Sequence, residues 1–249
     1  MPVPVTLTGR TVRLEPLTEQ HAEALAAAAA RAEDRATYAF TAVPQSVQAA
    51  REFIATAQAD QAAGRSVVFA TVRASDGLVV GSTRFLELDY WQGPVVWPPL
   101  PAGPVGDPAT AVPDAAEIGR TWLSSQAQGT GINTEAKLLM LRHAFETWGV
   151  QRISLRADAR NLRSRAAIER LGATSEGVRR AHSRGLDGVV RSTAFYSILA
   201  EEWPAVRDII ELRIAAAIAP SAPERRIARG LGRERDQECV RHAGSLITV

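Results

Sequence analysis

Residues 116–149 constrain the fold more than any other part of the chain. A strand-like run over residues 117–123 leads into a loop with two glycines, and an amphipathic helix is predicted to begin near Ile132. Gly149 is a stop signal for that helix. The first amide groups of a helix have no intrahelical acceptor and carry partial positive charge. A strand, a glycine loop and a helix start in this order therefore predict an anion site.

The loop has the pattern Q-x-x-G-x-G, in which Gln126, Gly129 and Gly131 are the defining residues. A dinucleotide fingerprint, GxGxxG, is excluded because Thr134 stands where its third glycine would be. A P-loop is excluded as well, since the sequence contains no GxxxxGK[S/T] run. The predicted anion site therefore belongs to neither of these two phosphate-binding classes.

A second motif, N-x-x-S-x-x-x-I-x-x-L-G-A, follows about thirty residues later and begins with Asn161 and Ser164. In this order and spacing the two motifs resemble the acetyl-coenzyme A segments of the GNAT acetyltransferases. The second motif is similar to that of the Rim-type branch, which acetylates the N-termini of ribosomal proteins. The resemblance covers roughly residues 8–203.

This resemblance implies a fold and an acetyl donor. The expected fold is mixed α/β (α+β), with a central sheet of about seven strands flanked by helices. The sheet is expected to splay near Leu123, between two parallel central strands. Acetyl-coenzyme A is the expected co-substrate, and its expected contacts are Trp122, Leu123, Gln128, Gly129, Thr130, Gly131, Ile132, Asn133, Asn161 and Ser164.

The chemistry of the transfer sets three requirements: a neutral amine, an N–H donor for the oxyanion and a proton for the departing sulfur. Glu117 is the candidate base, because the resemblance implies an acid on this strand near the acceptor amine. Asp158 and Glu87 are the alternatives. A structural ion pair of Glu117 with Arg120 or Arg156 is the competing interpretation.

Simple strand alternation would place Glu117 on the same face as Gly119, Thr121 and Leu123. A bulge, which the family has in this strand, would shift that parity. The oxyanion donor is expected to be a backbone N–H near Trp122 or Leu123.

Ser164 is the candidate proton donor, because the resemblance implies a serine near the coenzyme sulfur at this position. A hydroxyl has a high pKa, so a hydrogen bond to the sulfur is a lesser role for the same residue. Its structural alternative is an ordinary residue in the first turn of a helix. Asn161 likewise has the alternative role of helix N-cap.

Alternating and helical periodicities outline the rest of the chain. Strands are predicted at residues 11–17, 66–73, 78–88, 117–123, 152–158, 174–181 and 189–199. Helices are predicted at residues 18–30, 46–64, 132–149, 161–171 and 201–218. Gly77 ends a D-G hairpin turn, and Gly81 marks a bulge or a close approach in the strand that follows.

The overall composition narrows the class of protein. A net charge of +2 gives no case for a specific nucleic-acid partner, and the apolar run at residues 24–30 is too short to span a membrane. Cys239 is the only cysteine and the four histidines lie far apart, so no metal is expected. Without a signal-peptide pattern at the start, a cytoplasmic protein is expected.

The chain is predicted to form one acetyltransferase domain over residues 1–218, with a proline-rich insertion at residues 91–113 and a polar, poorly ordered tail at residues 219–249. The insertion is interpreted as a lid or an interface loop, with plain disorder as the alternative. The acceptor is expected to be a primary amine, on a protein N-terminus or a small molecule, and a homodimer is left open. The alternative function is a catalytically weak acyl-coenzyme A-binding sensor or interaction protein.

Overall fold

The computed structural model describes residues 2–30, 38–91 and 112–218. Most of the proline-rich insertion and the tail at residues 219–249 lie outside the described residues, and the expectations for them stay predictions. Trp91 and Pro113, at the two ends of the insertion, belong to neither a helix nor a strand.

An open sheet of eight strands forms the centre of the described chain, in the order β1-β2-β3-β4-β5-β6-β8-β7. The strands are β1 Leu7–Thr8, β2 Val12–Pro16, β3 Ser66–Arg73, β4 Val79–Asp89, β5 Ala115–Leu123, β6 Arg152–Asp158, β7 Thr174–Arg184 and β8 Val190–Leu199. The expected mixed α/β fold is confirmed. The strand that the sequence analysis missed is β1, whose two residues are too few to show an alternating pattern.

The described residues contain five α-helices: α1 Ala22–Ala30, α2 Val47–Ala62, α3 Ile132–Arg142, α4 Leu162–Arg170 and α5 Trp203–Ile218. The helix predicted to run regularly to Gly149 instead changes after α3 into a wider π-helical turn, His143–Trp148. Gly149 ends that turn with φ 72°, a left-handed conformation that glycine adopts readily. None of the helices in the described ranges is long and apolar enough to cross a membrane.

The sheet carries an apolar layer on each face. One layer packs under α3 and α5 and includes Leu14, Phe85, Ile118, Met140 and Ile210. The other packs under α1 and α2 and includes Leu25, Ile54, Val68 and Trp122. Each strand residue therefore belongs to one of two distinct environments, according to the face on which it lies.

The two central strands β5 and β6 run parallel, and they stay paired over only three residues each. The pairs are Ala115 with Arg152, Ala116 with Ile153, and Glu117 with Ser154. Beyond Glu117 the strands part, and β5 continues alone along β4. The splay is thus present, but it begins six residues earlier than the expected position near Leu123. Glu117 lies where it opens.

A bulge in β5 changes the alternation beyond Glu117. Ser82 of β4 faces Trp122 and Arg84 faces Gly119, so one residue of β4 spans two residues of β5. Arg120, one of those two, has φ 47°.

The expected grouping of Glu117 with Thr121 and Leu123 on one face is therefore wrong. The pairs across β4 place Glu117 on the α1–α2 side with Trp122, while Leu123 lies in the apolar layer under α3.

Candidate active site

The glycine loop, residues 124–131, joins β5 to α3. Gly129 and Gly131 have φ 78° and 87°, and Gly131 is the N-cap of α3. A Cβ built on either glycine would have no atom within 4 Å, so the space above the loop is open. Ile132 is buried in the core and offers only its backbone. The loop presents amide groups and a helix start to open space, which suits an anionic ligand.

Two side chains of the glycine loop are hydrogen-bonded within the protein. Gln128 Nε2 donates to the Leu123 carbonyl at 2.8 Å, and Thr130 Oγ1 donates to the Ala127 carbonyl at 2.7 Å. The predicted ligand contacts of Gln128 and Thr130 therefore fall to their backbone amides. Asn133 Oδ1, by contrast, is buried without a hydrogen-bond partner among the described residues, so it could accept from a ligand N–H.

Tyr38 fixes the end of β5 from the other side. Its hydroxyl donates to the Leu123 carbonyl at 2.8 Å, and its ring meets Trp122 edge-on with centroids 6.4 Å apart. The sequence analysis did not single out Tyr38, because this contact joins residues 85 positions apart and leaves no local pattern. The backbone of Trp122 and Leu123, the predicted oxyanion donor, is thus held on both sides of the strand end.

Glu117 lies at the mouth of the splay with 6% of its surface exposed. Its Oε1 forms an ion pair with Arg156 Nε at 3.0 Å, and Arg156 Nη2 also reaches Glu87 Oε1 at 3.3 Å. Of the two arginines considered from the sequence, Arg156 is the partner and Arg120 is not. A Cβ at Gly119 would lie 2.9 Å from Glu117 Oε1, so glycine at that position leaves room for the carboxylate.

Burial raises the pKa of Glu117 to about 7, because the ionised form loses hydration. The charge of Arg156 acts in the opposite direction and lowers this pKa, while the negative charge of Glu87 raises it further. Burial outweighs the ion pair. A carboxyl group that titrates near neutral pH can take a proton from an ammonium group and release it again, as a general base requires.

Removal of the positive partner tests this balance. We expect Arg156→Met to raise the pKa of Glu117 above about 7, because the charge that favours the ionised carboxylate is lost. Titration of the Glu117 carboxyl carbon by NMR measures the shift directly. Arg152→Met is the matched control, since Arg152 lines the same cavity but does not contribute to this pKa. An equal shift in both variants would contradict the assignment.

A cavity of about 210 Å³ lies beside Glu117 and is lined by Glu87, Asp89, Trp91, Ala115, Ala116, Glu117, Arg152 and Ser154. It adjoins the start of β5, whereas the glycine loop follows its end. The two spaces therefore meet β5 at opposite ends, and Glu117 lies between them. The sequence analysis missed Asp89 and Ser154, because the cavity forms between neighbouring strands that are distant in sequence.

The two ends of the proline-rich insertion are tied together at this cavity. The amide of Asp114 donates to the Asp89 carbonyl at 2.8 Å, and the amide of Trp91 donates to Asp114 Oδ2 at 2.7 Å. The indole N–H of Trp91 also donates to Asp89 Oδ2 at 3.1 Å. Trp91 is 53% exposed and lines the cavity, so a large aromatic surface is available there.

The two alternative bases fit the position less well. Asp158 is buried and forms an ion pair with Arg160 at 2.8 Å, and this partner holds the pKa of Asp158 below its usual range. A carboxylate held in the ionised form is a weak proton acceptor, so Asp158 suits a structural role. Glu87 lines the cavity, but its side chain is 64% exposed. Glu117 is the one of the three that is both buried and at the splay.

Asn161 and Ser164 meet at the start of α4, which follows the parallel strand β6. Asn161 Oδ1 accepts from the amide of Ser164 at 3.0 Å, so Asn161 is the N-cap of the helix. This bond uses the backbone of Ser164 and leaves its hydroxyl out. Both helices that follow the splayed strands therefore begin close to the carboxyl ends of those strands, and Ser164 lies in the first turn of one of them.

Substitutions at these two positions separate structure from chemistry. We expect Asn161→Ala to cost about 1 kcal/mol of stability through loss of the cap, and Asn161→Asp to retain most of it. Ser164→Ala should leave the melting temperature unchanged, because the cap bond involves only the Ser164 amide. A drop in turnover for Ser164→Ala without loss of stability would support its role as proton donor. A loss of stability equal to that of Asn161→Ala would argue against this separation.

Tyr196, an aromatic residue near this region, is part of the internal hydrogen-bond network. It is 1% exposed, its hydroxyl donates to Glu169 Oε1 at 2.9 Å, and it accepts from Arg165 Nε at 3.0 Å. These contacts join β8 to α4. Tyr196 therefore stabilises the position of α4 and is a poor candidate for proton transfer.

Residues 11–174 match the acetyltransferase (GNAT) domain family, which is well over half of the chain. The chain belongs to the GNAT acetyltransferase family. The resemblance inferred from the two motifs is thereby confirmed. Within the described residues, no group of three or more histidine, cysteine, aspartate or glutamate side chains is arranged to hold a metal ion.

Several relatives support this assignment. The Bacillus subtilis (strain 168) protein "Putative ribosomal N-acetyltransferase YdaF" is 35% identical over 88 residues, which are 35% of this chain and 47% of YdaF. The alignment thus spans about half the length of that relative. A GCN5-related N-acetyltransferase from Brucella melitensis has 25% identity and a TM-score of 0.71, with 86% of each chain covered. An acetyltransferase structure from T. thermophilus has 32% identity and a TM-score of 0.63, covering 86% of this chain and 98% of the other.

Proposed function

We propose that this GNAT protein transfers acetyl directly from acetyl-coenzyme A to a primary amine, with Glu117 as the general base. The observation that carries the proposal is the position of Glu117: a buried carboxyl with a pKa raised to about 7, at the mouth of the splay and beside a cavity. A structural ion pair alone would need neither the raised pKa nor the adjoining space.

The donor fits the residues of the loop and the splay. The pyrophosphate of acetyl-coenzyme A would bind the amides between Gly129 and the start of α3, where no protein atom crowds the two glycines. Its thioester arm would enter the gap that opens beyond Glu117. Ser164 and the Trp122–Leu123 backbone would supply the hydrogen bonds to sulfur and to the oxyanion.

The acceptor would enter from the cavity beside Glu117. An amine arrives as an ammonium ion at neutral pH, and the cavity offers the carboxylates of Glu87, Asp89 and Glu117. Glu117 takes one proton, the neutral amine attacks the thioester carbonyl, and the thiolate leaves with a proton from a donor near Ser164. No covalent enzyme intermediate is required.

The relationship to YdaF favours a protein N-terminus over a small-molecule amine as the acceptor. The open position of the cavity, with Trp91 exposed at its edge, is consistent with a peptide chain that extends outward. The alternative function, a weakly active acyl-coenzyme A-binding sensor, needs no base at Glu117.

The test is a measurement of coenzyme A release against a panel of acceptors. Peptides with free N-termini are compared with the same peptides blocked by acetylation, and with small primary amines. We expect release that depends on a free N-terminus. Activity restricted to small amines would overturn the choice of acceptor. Tight binding of acetyl-coenzyme A without release for any acceptor would favour the sensor.

A further inference from the structure

A buried lysine lies on the opposite face of the sheet from Glu117. Lys137, the only lysine of the chain, is on α3 and 5% exposed. Its amine donates to Thr83 Oγ1 at 2.9 Å and to Thr121 Oγ1 at 2.6 Å, and these hydroxyls are themselves 2.7 Å apart. Among the described residues no carboxylate forms an ion pair with it. Burial lowers the pKa of Lys137 to about 7.

The two threonines lie on the two strands of the β5 bulge. Thr83 is the β4 residue between the pairs Ser82–Trp122 and Arg84–Gly119, and Thr121 is one of the two β5 residues opposite it. The amine of Lys137 therefore connects the shorter and the longer side of the bulge. A bulge leaves strand pairing locally incomplete, so such a connection supplies contacts that the backbone ladder lacks.

The bulge separates the two functional parts of β5. Glu117 precedes it, and the Trp122–Leu123 backbone follows it. Because the bulge reverses the side-chain alternation, it sets the direction of the amides beyond it relative to the carboxylate before it. A change in the bulge would move one part relative to the other without unfolding the sheet.

Packing alone does not require an amine at this position. Burial of a lysine among apolar residues costs free energy, and a methionine of similar length would fill the same volume without that cost. In its absence Thr83 and Thr121 could still hydrogen-bond to each other. The contribution specific to the amine is the bridge across the bulge.

We propose that Lys137 is a positioning residue for acetyl transfer, which holds the β5 bulge from the α3 side and so sets the Trp122–Leu123 backbone relative to Glu117. The proposal rests on the proposed function, in which those two parts of β5 act on the same thioester. It assigns Lys137 no contact with the substrates.

The main experiment is steady-state kinetics of Lys137→Met. We expect kcat to fall tenfold or more, while KM for acetyl-coenzyme A stays within about threefold and the melting temperature at pH 7 does not decrease. Met140→Leu is the matched control, a buried residue of the same helix next to Thr83, and should change kcat by less than about twofold. A kcat for Lys137→Met equal to that of the control would overturn the proposal.

A second variant tests the route of the effect. Thr121→Val removes one partner of the amine without changing the volume of the core appreciably, and should lower kcat as well. The double variant Lys137→Met with Thr121→Val should be no slower than Lys137→Met alone, because both changes break the same bridge. Additive losses would show that Lys137 acts through something other than Thr121, which contradicts the proposal.

A third measurement does not depend on turnover. Hydrogen exchange of the amides at residues 118–124 should be at least tenfold faster in Lys137→Met and unchanged in Met140→Leu. If the unaltered protein transfers acetyl to no acceptor, the proposed function fails, and exchange alone decides whether Lys137 holds the bulge. Unchanged exchange in Lys137→Met would overturn the positioning role in either case.

Discussion

Replacement of Glu117 by glutamine is expected to lower the rate of acetyl transfer by about 10²–10⁴-fold, the usual effect of losing a general base. Glutamine keeps the shape of the side chain but cannot take the ammonium proton. Coenzyme A affinity should stay within about twofold, because the glycine loop is formed by other residues. The measurements are steady-state kinetics with a saturating acceptor and calorimetric titration of coenzyme A.

The pH dependence of the rate gives an independent signature of the same role. The rate of the unaltered enzyme should rise with pH through about 7, since Glu117 is protonated and inactive below its raised pKa and ionised above it. Glu117→Gln should lose this rise.

Glu87→Gln is the matched control, because Glu87 is an exposed carboxylate that contacts the same Arg156. Its rate should stay within about threefold, with the rise moved slightly toward lower pH. If Glu117→Gln also stays within threefold at neutral pH, Glu117 has only a structural role.

Replacement of Gly131 by valine is expected to weaken coenzyme A binding by tenfold or more, or about 1.4 kcal/mol. Gly131 has φ 87°, which a β-branched residue adopts only with strain. Its side chain would also project into the open space above the loop, where the pyrophosphate is expected. Calorimetric titration measures the loss, and circular dichroism confirms that the fold is kept.

Gly77→Val separates ligand binding from backbone strain. Gly77 has φ 70° with no atom within 4 Å of a built Cβ, as Gly131 has, but it lies in the β3–β4 turn. We expect a similar loss of stability in both variants and unchanged coenzyme A affinity in Gly77→Val. Full affinity in a folded Gly131→Val would remove the glycine loop from the proposed binding site.

Local patterns predicted most of the secondary structure correctly. The strand at residues 66–73 coincides with β3, and that at residues 152–158 coincides with β6. Gly131, Gly149 and Gly172 all have positive φ at helix boundaries. These features depend on residues within a few positions of each other, which is the range that sequence periodicity and glycine placement report.

Gly81 shows where a local signal had a non-local cause. The sequence indicated a bulge or a close approach, and a Cβ at Gly81 would lie 2.0 Å from the carbonyl oxygen of Trp122. The close approach is therefore to the neighbouring strand β5. The residue type revealed a lack of space, and only the fold identified what occupies that space.

The sequence by itself determined the family, the order of the elements and the loop that faces the acetyl donor, because each of these is encoded in short motifs and periodic patterns. The tertiary structure decided which residues meet. It selected Arg156 over Arg120 as the partner of Glu117, and it placed Lys137 beneath the bulge. It also moved the start of the splay to Glu117. The physical reason is that burial, pKa and strand register depend on contacts between residues far apart in the chain. Alternation along β5 predicted the wrong face for Glu117 because the bulge is a property of how two strands pair and leaves no period in either strand alone.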